Sequence, residues 1–135
     1  MSGLARFFTD RGVGSRIVPE GLRSIGWRVV TMDERYGKDV SQSIPDTQWI
    51  ADACTQGELI LTKDRAVSKR SLEAEAISVN AARVLVVGSA NITGQETLAR
   101  ILQHRERIQA LMDATGPFVF SIGRDRIDTV RLRYP

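Results

Sequence analysis

Three aspartates, Asp10, Asp46 and Asp64, stand where carboxylates could act on a ligand. Asp10 directly follows the apolar run Arg6 to Thr9 (RFFT) and Asp64 lies just after Leu59 to Thr62 (LILT). Asp46 opens the segment that leads into that second run. Carboxylates brought together repel unless a cation neutralises them, and Mg2+ or Mn2+ does so through a few carboxylate oxygens at about 2.1 Å. A water acidified by such an ion attacks a phosphodiester, chemistry that needs no histidine, cysteine or serine. Arg11, Lys63 and Arg65 adjoin Asp10 and Asp64 and are candidates to grip the phosphates of RNA.

The rest of the composition narrows the choice. One cysteine, Cys54, cannot make an internal disulfide, and with the single histidine, His104, it cannot furnish a zinc site of the usual kinds. Hydrolytic chemistry therefore falls to the carboxylates. The net charge of +3 is compatible with nucleic acid without requiring it. No apolar run approaches the roughly 18 residues that span a bilayer, and the N-terminus lacks a secretory pattern. The expectation is a cytoplasmic chain with no membrane role.

Strands must alternate with helices to bring the three aspartates together. Arg6 to Thr9, Trp27 to Met32, Leu59 to Thr62 and Arg83 to Val87 read as strands; Ser15 to Ile25 and Pro45 to Gln56 read as helices. Asp33 to Ser43 reads as a loop, and Arg65 to Ser78 holds one or two short helices. A long helix is predicted from the Thr93/Glu96 capping box to Gly116, followed by strands at Phe118 to Ile122 and Thr129 to Leu132, as a hairpin around Gly123. The predicted architecture is a three-layer α/β/α sandwich with a mainly parallel sheet, one domain over residues 1–135. In such sheets ligands bind beyond the carboxyl ends of the strands, where all three aspartates should converge.

Each candidate also has a purely structural interpretation. Asp10 could turn the loop Arg11-Gly12, Asp64 could cap the next helix, and Asp46 could form a capping box with Ser43. Cys54 and Trp49 suit the core, and His104 a solvated helix face. Asp33, Glu34, Glu73 and Glu75 are candidates for a fourth carboxylate, Glu73 and Glu75 only if their helix folds over the rim.

The segments FFTDRGVG, LRSIGWRVV, IPDTQWIADA and LILTKDRA together resemble the PIN-like domains, over about residues 6–90. Within them the chain is most similar to the small VapC-type toxin nucleases, with an Asp after the first strand, an Asp opening a helix, and T-x-D after the third strand. The resemblance implies a metal-dependent endoribonuclease, the toxin of a toxin–antitoxin pair, neutralised by an antitoxin protein and commonly a homodimer. Asp10, Asp46 and Asp64 match the family's metal-binding, catalytic aspartates. Two departures stand out: Asp10-Arg11-Gly12 replaces the D-E-N of the closest relatives, and Gly88-Ser89-Ala90-Asn91 offers no acid after the fourth strand.

Two other functions fit parts of the pattern. A non-catalytic RNA-binding or interaction domain would show salt-sensitive binding without turnover. A receiver-type phosphoacceptor domain would share the Asp after the first and third strands and make use of Ser89-Ala90, but leaves Asp46 without a role.

Overall fold

Runs rich in apolar residues make strands that are covered on both faces, and the centre of the sheet in this chain is built from them. In the computed structural model, which describes residues 4–88 and 91–134, these are β1 (Arg6–Thr9), β2 (Arg28–Thr31), β3 (Leu59–Thr62), β4 (Arg83–Val87), β5 (Phe118–Ile122) and β6 (Ile127–Thr129). Their spatial order is β2-β1-β3-β4-β5-β6. Strands β1 to β5 pair in parallel; β6 runs antiparallel to β5, as the hairpin around Gly123 requires.

Alternate residues of each strand feed two cores. Phe7, Leu59, Leu61, Leu85 and Val87 face one layer, formed by α1 (Ile17–Ser24), α5 (Gly94–Gln103) and α6 (Arg105–Ala110) through Val18, Leu22, Ile101 and Ile108. Phe8, Ile60, Val84 and Val86 face the other, formed by α2 (Met32–Tyr36), α3 (Asp46–Thr55) and α4 (Ser71–Val79) through Met32, Trp49, Ile50, Ala53 and Ile77. This is the three-layer α/β/α sandwich with a mainly parallel sheet.

Several features differ from expectation. The predicted loop Asp33 to Ser43 begins with helix α2, closed by a full capping box: Glu34 N–H donates to Thr31 Oγ1 (3.2 Å) and Thr31 N–H to Glu34 Oε1 (2.9 Å). The predicted long helix is broken at His104, whose buried ring reaches the Gly123 carbonyl at 3.1 Å instead of facing solvent. Only half of its capping box forms: Thr93 Oγ1 accepts from Glu96 N–H (3.0 Å), while the Glu96 carboxylate pairs with Arg100 and Arg124. The last strand ends at Thr129. Beyond it Val130 bonds Val119, and Arg133 N–H donates to the Ser68 carbonyl (2.9 Å), which draws the C-terminal segment towards the turn after Asp64.

The amino ends of the strands carry structural polar contacts. Arg83 donates to the carbonyls of Met112 (2.7 Å) and Gly57 (3.0 Å). Arg35 of α2 meets Glu58, just before β3, through two hydrogen bonds of 2.7 and 2.5 Å, and its guanidinium lies 5.0 Å from the centre of the Phe8 ring. Glu58 is buried and Arg35 nearly so. Removing one member leaves the other charge desolvated without a partner. Glu58→Ala is therefore expected to cost about 2–3 kcal/mol in urea unfolding. A loss below a few tenths of a kcal/mol would show the pair to be solvated in solution.

Candidate active site

The chain passes from β1 to β2 on one side and then crosses to β3 on the other, so the crevice between the carboxyl ends of β1 and β3 is a topological switch point. Asp10 leaves β1 there, its N–H bonded to the Leu61 carbonyl at 3.3 Å. Asp64 follows β3, and Asp46 is the first residue of α3. The predicted convergence is visible through shared partners. Thr62 Oγ1–H donates to Asp10 Oδ2 (2.6 Å), and the same oxygen accepts from Asp64 N–H (3.0 Å). Arg70 Nη2 lies 2.5 Å from Asp64 Oδ2 and 3.5 Å from Asp46 Oδ2.

The structural interpretations of these aspartates are partly right. Asp10 Oδ1 accepts from Gly12 N–H (3.1 Å) and Asp64 Oδ1 from Ala66 N–H (3.0 Å), so both cap the short 3-10 turns that follow them. Asp46 does not form the capping box with Ser43; Pro45 is the N-cap, and Asp46 Oδ1 accepts from the Trp49 indole N–H (2.9 Å). In Asp46 and Asp64 one oxygen is thus held by the fold, and the other, Oδ2, faces Arg70. Both oxygens of Asp10 accept hydrogen bonds.

Electrostatics single out Asp10. Burial pushes its carboxyl up to about 6, against the pull of the Thr62 hydroxyl and Gly12 amide, and Asp46 and Asp64 push it the same way. A carboxylate disfavoured by burial and by two neighbouring acids is stabilised by a cation. The donors are all oxygens, the chemistry of Mg2+ or Mn2+. Among the described residues no three acidic, histidine or cysteine side chains already close to ligating distance. Arg70 stands between two of the three carboxylates instead.

The other candidates are placed as follows. Arg11 Nη2 donates to the carbonyls of Ser41 (2.9 Å) and Ile44 (3.3 Å), which holds the segment leading into α3. Lys63 Nζ donates to the Ile92 carbonyl (2.8 Å), and exposed Arg65 contacts Ser121 Oγ at 3.3 Å. No ion pair joins any of the three to Asp10, Asp46 or Asp64 among the described residues. Asp33 Oδ1 accepts from Ser41 Oγ–H, and Glu34 pairs with Arg23 while capping α2. Glu73 reaches the rim: its Oε1 lies 3.3 Å from Arg70 Nε. Glu75 is exposed on α4. Burial raises the Cys54 thiol to about 11, which keeps it protonated and unreactive. Ser89 and Ala90 lie outside the described residues.

Thr62, Trp49 and Arg70 were not among the predicted site residues. Thr62 had a signal, since it stands two residues before Asp64 in the T-x-D pattern. Trp49 stands one turn after Asp46, within reach of its carboxylate, yet its apolar face suits the core equally well. Arg70 is one of several basic residues between Lys63 and Arg70, and nothing in the sequence ranks them.

A family model described as "PIN like domain" matches residues 5–89, which include all three aspartates. The Mycobacterium tuberculosis protein named "Putative ribonuclease VapC45" is 30% identical over 127 residues, or 94% of this chain and 92% of that protein. No solved structure matches. With a rim of carboxylates at the switch point, a family match over more than half its length and a full-length relative of this kind, the chain belongs to the PIN-like domain family, among its VapC-type members.

Proposed function

We propose that this chain is a divalent-metal-dependent endoribonuclease, the toxin of a toxin–antitoxin pair, which hydrolyses RNA phosphodiesters at the rim formed by Asp10, Asp46 and Asp64. The observation that carries the reading is Asp10: a carboxylate pressed by burial and by two neighbouring acids, in the crevice between the carboxyl ends of β1 and β3. The relative's name, which states ribonuclease, supports the substrate. As in VapC-type chains, an antitoxin protein would neutralise it, and a homodimer is the proposed assembly; the working compartment is the cytoplasm. Among the described residues no helix is long and apolar enough to cross a membrane.

Asp10, Asp46 and Asp64 would hold Mg2+ or Mn2+. When bound, the ion supplies an acidified water and positive charge against the phosphorane-like transition state. The protein's own part is orientation. Thr62 aims Asp10, the Trp49 indole aims Asp46, and the turn Arg65–Ser68 fixes Asp64. Of the three basic candidates, Arg65 is the one not bonded to a backbone carbonyl and so the freest to meet a phosphate; Arg11 and Lys63 act nearer the backbone they hold.

A second reading, a non-catalytic RNA-binding domain, draws on Arg70 between Asp46 and Asp64, since a guanidinium there leaves less need for a metal ion. Family membership sets the phosphoacceptor reading aside. The test is cleavage of a mixed RNA substrate by purified protein with Mn2+ or Mg2+, with EDTA, and with the ion restored. The expected result is turnover that stops in EDTA and returns with excess ion. Turnover undiminished by EDTA would remove the metal mechanism, and binding without turnover in every condition would favour the second reading.

A further inference from the structure

We propose that Arg70 is the rim's own internal cation, and that a divalent ion must displace its guanidinium from Asp46 and Asp64 to bind. This rests on the metal-dependent reading above and extends it to a residue that the reading leaves without a role.

Asp64 Oδ1 is held by the Ala66 amide and Asp46 Oδ1 by the Trp49 indole, so in each acid the other oxygen is the less encumbered of the two. Those are the two Oδ2 atoms, and both face Arg70 Nη2, at 2.5 and 3.5 Å. Arg70 Nη1 also lies 3.5 Å from Asp64 Oδ1, and Arg70 Nε lies 3.3 Å from Glu73 Oε1. One guanidinium thus joins acids from three elements: α3, the turn after β3, and α4. Arg11, Lys63 and Arg65 bond the Ser41 carbonyl, the Ile92 carbonyl and Ser121 Oγ, so among the described residues Arg70 is the cation ion-paired to Asp46 and Asp64.

The arrangement is displaceable. The Arg70 and Asp64 side chains are each 41% exposed, and exposed ion pairs are individually weak. A dication attracts two carboxylates more strongly than one delocalised charge does, and an ion taking both Oδ2 atoms leaves no space for Nη2. Arg70 is the N-cap of α4 and keeps its Glu73 partner, so a displaced guanidinium stays tethered beside the rim.

Competition predicts that removing the internal cation tightens metal binding. Arg70→Gln should bind Mn2+ about three- to tenfold more tightly than wild type in calorimetry, or by the loss of the free-Mn2+ resonance on titration. Arg70→Lys, which keeps the charge, should stay within about twofold of wild type. Arg70→Met, which keeps the aliphatic stem, carries the same expectation as Arg70→Gln should that protein fold poorly. Circular dichroism checks the fold of each. Mn2+ affinity unchanged or weakened in folded Arg70→Gln and Arg70→Met overturns the competition while leaving the metal site standing. Absence of Mn2+ binding in wild type and variants alike overturns the site and the competition together.

Discussion

Asp10→Asn is expected to lose RNA cleavage by about a thousandfold or more and, at the same time, to make the metal-free protein more stable by about 1–2 kcal/mol at neutral pH. The two effects have one origin. The carboxyl of Asp10 ionises at the ordinary 3.8 in the unfolded chain and at about 6 in the fold, chiefly because burial disfavours its charge. The folded protein therefore holds a proton that the unfolded chain releases between those two values, and wild-type stability falls as pH rises across that window. An asparagine has no proton to lose. Its advantage should be absent below about pH 4, grow through the window and level off above about pH 6. The hydrogen bonds need not be lost: Asn Oδ1 can still accept from Gly12 N–H, and its amide can donate to Thr62 Oγ1 if that hydroxyl rotates. Urea unfolding in EDTA at several pH values measures the stability arm. Addition of Mn2+ should then stabilise wild type and not the variant. A variant less stable than wild type at pH 7.5, or one that still cleaves RNA at the wild-type rate, contradicts the reading of Asp10 as a carboxylate awaiting a cation.

Much of this was legible because it depends on patterns with a physical cause. The runs RFFT, LILT and RVLVV are dominated by large apolar residues, broken at their buried positions only by Thr9 and Thr62, and they form β1, β3 and β4 at the expected boundaries. Alternation with amphipathic segments then dictates a parallel sheet, and the sheet dictates the rim on which Asp10, Asp46 and Asp64 meet. What stayed hidden depends on tertiary choice. Helix α2 has five residues and little apolar periodicity, and its stability comes from the Thr31–Glu34 box and from Met32 and Tyr36 packing beneath. His104 stands amid Arg100, Arg105 and Arg107 in sequence, which suits a solvated face, yet its ring is buried against the Gly123 carbonyl at the point where the helix breaks. The basic residues were hardest to rank. Arg11, Lys63 and Arg70 are all close to aspartates in the fold, but two of them bond carbonyls and one bonds acids, a division set by side-chain reach that composition does not encode.

Thr62→Val should lower cleavage about a hundredfold at pH 6 and much less at pH 8.5, and this pH dependence separates two explanations of the residue. Valine keeps the shape and removes one hydroxyl, which has two tasks. As a donor to Asp10 Oδ2 it favours the charged carboxylate; as an acceptor from Asp64 N–H it fixes the turn that carries the second acid. Loss of the donor raises the Asp10 carboxyl further above its already elevated value, because the Thr62 bond opposes the burial that lifts it. A cation competes with that proton for the same oxygens, so metal binding and turnover shift to higher pH. Loss of the acceptor alone would misplace Asp64 equally at every pH and lower the whole profile without moving its acid limb. The expected result is therefore an acid limb displaced to higher pH, superimposed on a smaller uniform loss. A profile lowered in parallel would assign Thr62 to the turn only, and would leave Asp10 to be aimed by the Gly12 amide.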